Sequence, residues 1–256
     1  YGGVVGFDSL INDDTALGLA LSYIKTDIKH KNLNSGDRTK ADSFIVSAYG
    51  TYEITKEWFV QSVATFGHSK IKNREIRTEF GATRVAAADY NATSWGGEIL
   101  TGYNQKIREN VMLTPLFGLE FNRLNGINYK ETGTNTQNLA IKRGSISQLE
   151  AILGARISAV HNMNILQKDV TFLPEIHGNV RYGLLDKKLN IDIRQDGAAG
   201  PSLVPRTAKQ TRMVYNVGGS ITAKYNDQWE YAIGYDARLA EKYVAHQGTL
   251  KLRVNF

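Results

Sequence analysis

Apolar residues recur at every second position along almost the entire chain, a period that fits extended strands and not helices. In Thr15–Tyr23 the side chains of Leu17, Leu19, Leu21 and Tyr23 fall on one face, with Gly18, Ala20 and Ser22 on the other. Met213–Tyr225 sets Met213, Tyr215, Val217, Ile221, Ala223 and Tyr225 against Asn216, Gly218, Ser220, Thr222 and Lys224. Trp229–Leu239 repeats the pattern, and so does the closing run of Leu250, Leu252, Val254 and Phe256. No stretch approaches the roughly 18 apolar residues of a membrane-spanning helix, so a helical membrane protein is excluded while a strand-built one is not.

The runs predict eleven strands, near 1–11, 15–26, 42–54, 58–70, 92–107, 111–124, 146–160, 169–184, 211–225, 228–240 and 244–256. Short connections fall at Asn12–Asp14, Thr55–Glu57, Arg108–Asn110 and Asn226–Asp227, with a slightly longer one at His161–Lys168. Long polar connections lie between them, near 27–41, 71–91, 125–145 and 185–210. Such short–long alternation suits an antiparallel up-and-down meander whose two ends face different compartments. No linker interrupts it, and residues 1–256 read as one domain. The chain has no cysteine, which excludes a disulfide scaffold, a zinc–thiolate site and a thiol nucleophile.

Alternation alone does not say which face meets water. A soluble antiparallel sheet turns its apolar face to a core; a membrane barrel turns it to lipid and keeps a polar lumen. The polar face here carries ionised groups at mid-strand beside small residues. Glu98, Glu120, Glu150, Arg156, Glu175, His177, Arg181, Asp236, Arg238, Lys251 and Arg253 all have the inward parity. The opposite face ends in aromatics, among them Tyr23, Tyr52, Trp58, Trp95, Tyr103, Tyr182, Tyr225, Trp229 and Tyr231, as the girdles at two lipid interfaces require. The competing reading, a soluble sandwich, leaves many long alternating strands with aromatic ends as an aggregation hazard. The expectation is an all-β, transmembrane, antiparallel up-and-down β-barrel.

Long loops belong outside in a bacterial barrel, so the C-terminus and the short turns fall on the periplasmic side. Eleven strands then place Tyr1 on the outer side, and single-chain bacterial barrels have an even number. Twelve strands are therefore expected, the first of them missing from this chain and lying N-terminal to Tyr1.

Several segments resemble the C-terminal translocator β-domain of autotransporters, the twelve-stranded barrel of type V secretion. Tyr1–Leu10 (YGGVVGFDSL) is similar to the family's early glycine–hydrophobic strand ending near Asp. Ser94–Tyr103 (SWGGEILTGY) resembles its Glu-containing strand, and Leu113–Asn122 (LTPLFGLEFN) the strand that follows. Gly248–Phe256 (GTLKLRVNF) resembles the closing strand, whose terminal Phe256, with Val254 and Leu252, would be read by the outer-membrane barrel assembly machinery. The basic, Asn-rich loops are similar to those of rickettsial surface-antigen autotransporters. The family's first strand and lumenal helix have no match in the chain. The resemblance implies export of an N-terminal passenger, no cofactor and no ATP hydrolysis. In some members lumenal acids promote cleavage of the linker, and Glu98, Glu120 and Glu150 are the candidates by position; the plainer reading is that they pair with Arg156, Arg181 or Arg238.

Other chemistry finds little support. The histidines His30, His68, His161, His177 and His246 have no metal-ligand spacing. His177 shares a face with Glu175, as a proton-transfer couple or as a plain polar contact. Gly96–Gly97 and Gly218–Gly219 lie inside strands and not at a strand-to-helix turn, against a phosphate loop. The net charge of +6 suggests nucleic acid, but the basic stretches Lys25–Lys40 and Lys70–Arg77 lack a recognition helix or a stacking platform. In outer loops they would face the phosphates of outer-membrane lipid and lipopolysaccharide, or be simply solvated. A passive diffusion porin and a lumenal protease remain as alternatives to the translocator.

Overall fold

The computed structural model describes residues 1–31, 35–79, 81–134, 136–165, 168–185, 190–197, 211–226 and 228–255. It is all-β and antiparallel. The strands in chain order are β1 (Gly2–Asn12), β2 (Thr15–Lys29), β3 (Arg38–Glu53), β4 (Trp58–Glu79), β5 (Ala82–Tyr103), β6 (Gln105–Arg108), β7 (Val111–Leu124) and β8 (Ile127–Lys130). They continue with β9 (Leu139–Arg143), β10 (Ile146–Ala159), β11 (His161–Ile165), β12 (Lys168–Gly183), β13 (Ile191–Gln195), β14 (Met213–Tyr225), β15 (Trp229–Ala240) and β16 (Tyr243–Val254).

The main sheet runs β1-β2-β3-β4-β5-β7-β10-β12-β14-β15-β16, a path of eleven neighbours in chain order. β6 and β11 are short ladders added at one end, on β7 and β12, and β8, β9 and β13 form a separate three-stranded sheet. The antiparallel up-and-down meander read from the alternation is therefore present. The two ends of the path, β1 and β16, are not joined by a ladder among the described residues.

Five of the expected connections need correction. The supposed connection at 71–91 is almost entirely strand, because β4 and β5 pair without a break from Trp58↔Tyr103 to Glu79↔Ala82. The hairpin turns through Gly81, whose φ of +80° lies in the left-handed region that favours glycine. Polar side chains on both faces erased the alternation there, although a ladder needs only backbone groups. The connections at 125–145 and 185–210 hold β8, β9 and β13, and β2 and β3 reach into the two ends of 27–41, as far as Lys29 and from Arg38. His161–Ile165, within the expected connection His161–Lys168, is strand β11, with His161 opposite Phe172 and Ile165 opposite Lys168 on β12. Phe256 lies outside the described residues, as does most of 185–210.

The sheet is apolar on its outside. Among the described residues the buried hydrophobics are Phe59, Ala86, Ala88, Ala92, Ile127 and Ile152. Far larger side chains stand exposed in rows: Leu21 is 59% exposed, Phe44 63%, Ile99 60%, Ile176 62% and Leu250 83%. Each Leu, Ile or Phe left in water forgoes about 1.5–3 kcal/mol of burial, a sum no aqueous sheet of this size sustains. The same rows are stable against hydrocarbon. Aromatic pairs border them: Tyr23–Phe44, with ring centroids 5.0 Å apart, and Trp95–Phe121 at 5.2 Å at one end, and Trp58–Tyr103 at 5.4 Å at the other. From Trp58 to Phe66 on β4 the apolar band runs about 27 Å along the strand, less once tilted, which matches a lipid-facing belt.

Candidate lumen and the ion pairs that line it

The other face is polar, and it is curled inward. Arg181 on β12 donates to Glu98 Oε2 on β5 at 3.0 Å and pairs with Glu120 on β7, although β7 and β10 lie between β5 and β12. Arg156 on β10 stands 5.9 Å from the ring centroid of Phe59 on β4. Arg253 on β16 donates to Asp8 on β1, and the Tyr49 hydroxyl donates to the same carboxylate at 3.3 Å. Side chains three or more strands apart meet only when a sheet closes around their face.

Register brings the three linker-cleavage candidates into one row. Glu98 stands opposite Glu120, and Glu120 opposite Glu150. Like charges directly opposite each other are destabilising, and the partners here relieve that repulsion. Arg181 bridges Glu98 and Glu120, Asn122 donates to Glu120 at 2.6 Å, and Gln148 donates to Glu150. Ile152, 2% exposed, lies opposite Arg181 in the ladder. Of the arginines, Arg181 lies against Glu98 and Glu120, while Arg156 approaches Glu175, at 3.8 Å.

A second cluster sits on β12 and β15. His177 Nδ1 lies 3.1 Å from Glu175, and its Nε2 lies 2.8 Å from Asp236. This is more than a two-residue couple: the imidazole is held at both nitrogens by carboxylates of different strands. Gly218 makes room for it, since a Cβ there would stand 2.6 Å from His177 Nε2. Gly18 plays the same part for Tyr49, whose hydroxyl oxygen would lie 2.6 Å from an added Cβ. Lys251 stands opposite Ala232 and Arg253 opposite Glu230 on the same inner face, and Arg238 opposite Ala245 and Asn216. Leu252 and Val254 face outward, opposite Tyr231 and Trp229.

Sequence reasoning missed a further cluster beyond the apolar band. Arg77 on β4 reaches Glu131 at 2.7 Å and Glu75 at 2.9 Å, with Glu131 3% exposed. Tyr90 on β5 and Tyr129 on β8 stack with centroids 4.2 Å apart, and burial pushes the Tyr129 hydroxyl up to about 12. Glu131 also accepts the Leu139 amide at 2.9 Å, and Ala87 bridges to Thr132. These bonds anchor the three-stranded sheet to the long β4–β5 hairpin. The only signal in the sequence was Tyr129, Glu131 and Arg143 within a stretch assigned to a loop.

An apolar outer belt, aromatic borders and an ion-paired interior together define an outer-membrane-type β-barrel. Among proteins of that class, the family model described as autotransporter beta-domain matches residues 1–236, and the chain belongs to that family. Outer membrane protein A of Rickettsia rickettsii is 38% identical over 261 residues, covering 100% of this chain and 11% of the relative. Outer membrane protein B of the same organism is 35% identical over 260 residues, covering 100% of this chain and 16% of the relative. The chain thus spans a small part of the length of these relatives. In fold it is similar to the translocator domain of the autotransporter NalP from Neisseria meningitidis, with a TM-score of 0.74 at 14% identity over 100% of this chain and 80% of that one. The beta domain of the Bordetella autotransporter BrkA follows at 0.67 and 13%, over 100% and 90%.

Proposed function

We propose that residues 1–256 form the outer-membrane translocator through which an N-terminal passenger is exported and displayed. The observation that carries this reading is the curled polar interior: Arg181–Glu98 and Arg253–Asp8 span an inner face whose reverse is apolar. Charges of both signs, already paired with one another, hydrate a passing polypeptide without gripping it, because each is satisfied before the polypeptide arrives. Lumen-lining roles go to Glu98, Glu120, Glu150, Arg156, Glu175, His177, Arg181, Asp236, Arg238, Lys251 and Arg253. The short turns and the C-terminus face the periplasm, and the β4–β5 hairpin with its three-stranded sheet faces outward.

Among the described residues the edges of β1 and β16 are unjoined and carry unpaired backbone groups, which hydrocarbon does not tolerate. One further strand, the twelfth, completes the wall between them. Leu252, Val254 and Phe256 serve as the assembly signal for the barrel assembly machinery, and lipopolysaccharide contacts the outer basic face. The domain works without cofactor, nucleic acid or catalysis of its own; Glu98, Glu120 and Glu150 are the groups to test where linker cleavage occurs.

The test is a reporter fused upstream of the segment that precedes Tyr1 in the parent protein, expressed in a Gram-negative host, so that the twelfth strand is present. Antibody access in intact cells is the expected result; a reporter left in the periplasm beside a correctly inserted barrel overturns the reading. The second reading, a passive channel, rests on the same hydrated interior. It is favoured if planar-bilayer conductance stays high when the segment preceding Tyr1 in the parent protein is restored. The translocator reading expects a weakly conducting pore with that segment and a wider one without it.

A further inference from the structure

The outward face of β2–β5 changes character abruptly beyond its aromatic border. The row after Tyr23 and Phe44 reads Lys25, Asp42, Lys70 and Asn91 across the four strands. The next reads Asp27, Lys40, Lys72 and Asp89, and the one after it Lys29, Arg38, Arg74 and Ala87. Seven cations therefore face three carboxylates, and the carboxylates are already engaged. Arg38 holds Asp27, donating Nε to Oδ1 at 2.7 Å. Arg74 holds Asp89 at 2.7 Å, and the Tyr23 hydroxyl donates to Asp42 at 2.9 Å. The arginines in turn hold the Asp27 and Asp89 carboxyls below their usual range, chiefly through these hydrogen bonds.

Lys25, Lys29, Lys40, Lys70 and Lys72 remain exposed, and among the described residues their side chains form no hydrogen bond or ion pair. Lys40 and Lys72 stand directly opposite each other, a cross-strand placement that repels unless an anion lies between them. Rows are about 6.7 Å apart along a strand, and strands about 4.8 Å apart. The amines thus form a two-dimensional lattice starting one row past the aromatics. Long lysine stems lie along apolar surface while their ammonium groups reach the headgroup layer. The lattice faces away from the lumen, so it does not serve the passenger.

We infer that this face is a binding site for the phosphomonoesters of an outer-leaflet glycolipid, with Lys40 and Lys72 sharing one phosphate and Lys25 and Lys70 reaching a second. The inference rests on the outward orientation given under Proposed function. The glycolipid fixes a boundary layer against β2–β5 and neutralises the repulsion that the ladder register imposes.

The test uses the purified full-length protein in a zwitterionic detergent, relipidated with diphosphorylated lipid A, and mass spectrometry to count the lipid retained after washing. Replacing Lys40 and Lys72 together by Gln is expected to lower affinity roughly thirtyfold, at about one surface charge each. Lys56→Gln with Lys106→Gln, at the opposite end of the barrel, is expected to change nothing. Dephosphorylated lipid A is expected to wash off, and millimolar inorganic phosphate to compete poorly. Equal retention by the Lys40/Lys72 variant, equal retention of dephosphorylated lipid, or full displacement by inorganic phosphate overturns the inference. In the absence of lipid the same variant is expected to be at least as stable as the parent, which separates lost binding from lost folding. Because the chain has no cysteine, Lys70→Cys labelled by a membrane-impermeant maleimide on intact cells tests orientation separately. Labelling only after permeabilisation means that the orientation fails; labelling from outside with unchanged lipid retention means that the lipid site alone fails.

Discussion

Asp8 and Arg253, 245 residues apart, share a hydrogen bond across the two ends of the sheet path, where no backbone ladder joins β1 to β16 among the described residues. A side-chain contact thus already links the two edges that the proposed twelfth strand closes. Both groups are partly exposed to the hydrated interior, so their pairing is worth less than a dry ion pair and more than a surface one. Asp8→Asn or Arg253→Met is expected to cost about 1–2 kcal/mol. A double-mutant cycle read by the heat-induced gel shift of the folded barrel checks this, and strictly additive losses would show that the two residues do not interact.

The two faces predict opposite tolerance to charge. Leu19→Arg or Ile233→Arg puts a cation into hydrocarbon and is expected to cost roughly 2–4 kcal/mol at the bilayer midplane. Ser22→Arg and Ser220→Arg point inward, the latter opposite Glu175, and are expected to cost much less. Urea-driven unfolding from lipid vesicles compares them; similar losses on both faces would reverse the assignment.

Glycine at 18 is a steric requirement. Gly18→Val forces Tyr49 away and with it the hydrogen bond to Asp8, for an expected loss of about 1–3 kcal/mol. Gly248 has nothing within 4 Å of an added Cβ, so Gly248→Ala is expected to be neutral or mildly stabilising. The pair is measured side by side in the same unfolding assay.

Burial of Tyr129 makes the outer three-stranded sheet sensitive to alkali. The hydroxyl titrates near 12 in the folded protein against 10.0 for the ordinary group, so the folded form holds its proton more tightly. Its contribution to stability is complete below pH 10 and is lost as the pH rises through 12. Ultraviolet titration of tyrosinate should show one late-titrating group fewer in Tyr129→Phe. Identical curves would remove burial as the cause.

Removal of Phe256, or Phe256→Asp, is expected to lower the outer-membrane level of the protein several-fold with synthesis unchanged, by taking the aromatic residue from the proposed assembly signal. Cell fractionation with pulse labelling reads it; normal membrane levels would place the assembly signal elsewhere.

The barrel wall was legible because each of its residues faces either lipid or water, which writes a period of two into Leu17–Tyr23 or Met213–Tyr225. The halves of β4 and β5 beyond the apolar band were not, since Lys70–Arg77 carries polar side chains on both faces and backbone pairing leaves no mark on residue type. Pairing inside the lumen was half legible: parity put Glu98, Glu120 and Arg181 on one face, but only closure of the sheet brings β12 to β5. The carboxylate pair around His177 needed the register of β14 between β12 and β15, where Gly218 stands between His177 and Asp236. The Tyr90–Tyr129 stack depends on a packing of strands that no local pattern encodes.

The unbroken ladder of β4 and β5 limits how this gene can change length. Inserting or deleting one residue between Phe66 and the turn at Gly81 sends every side chain beyond it to the opposite face, carrying Lys70, Lys72 and Arg74 inward. A pair of residues restores the faces, and a bulge absorbs a single one only by bending the strand. Length variation among descendants of this sequence should therefore come in even steps along the arms of this hairpin and without restriction at its tip.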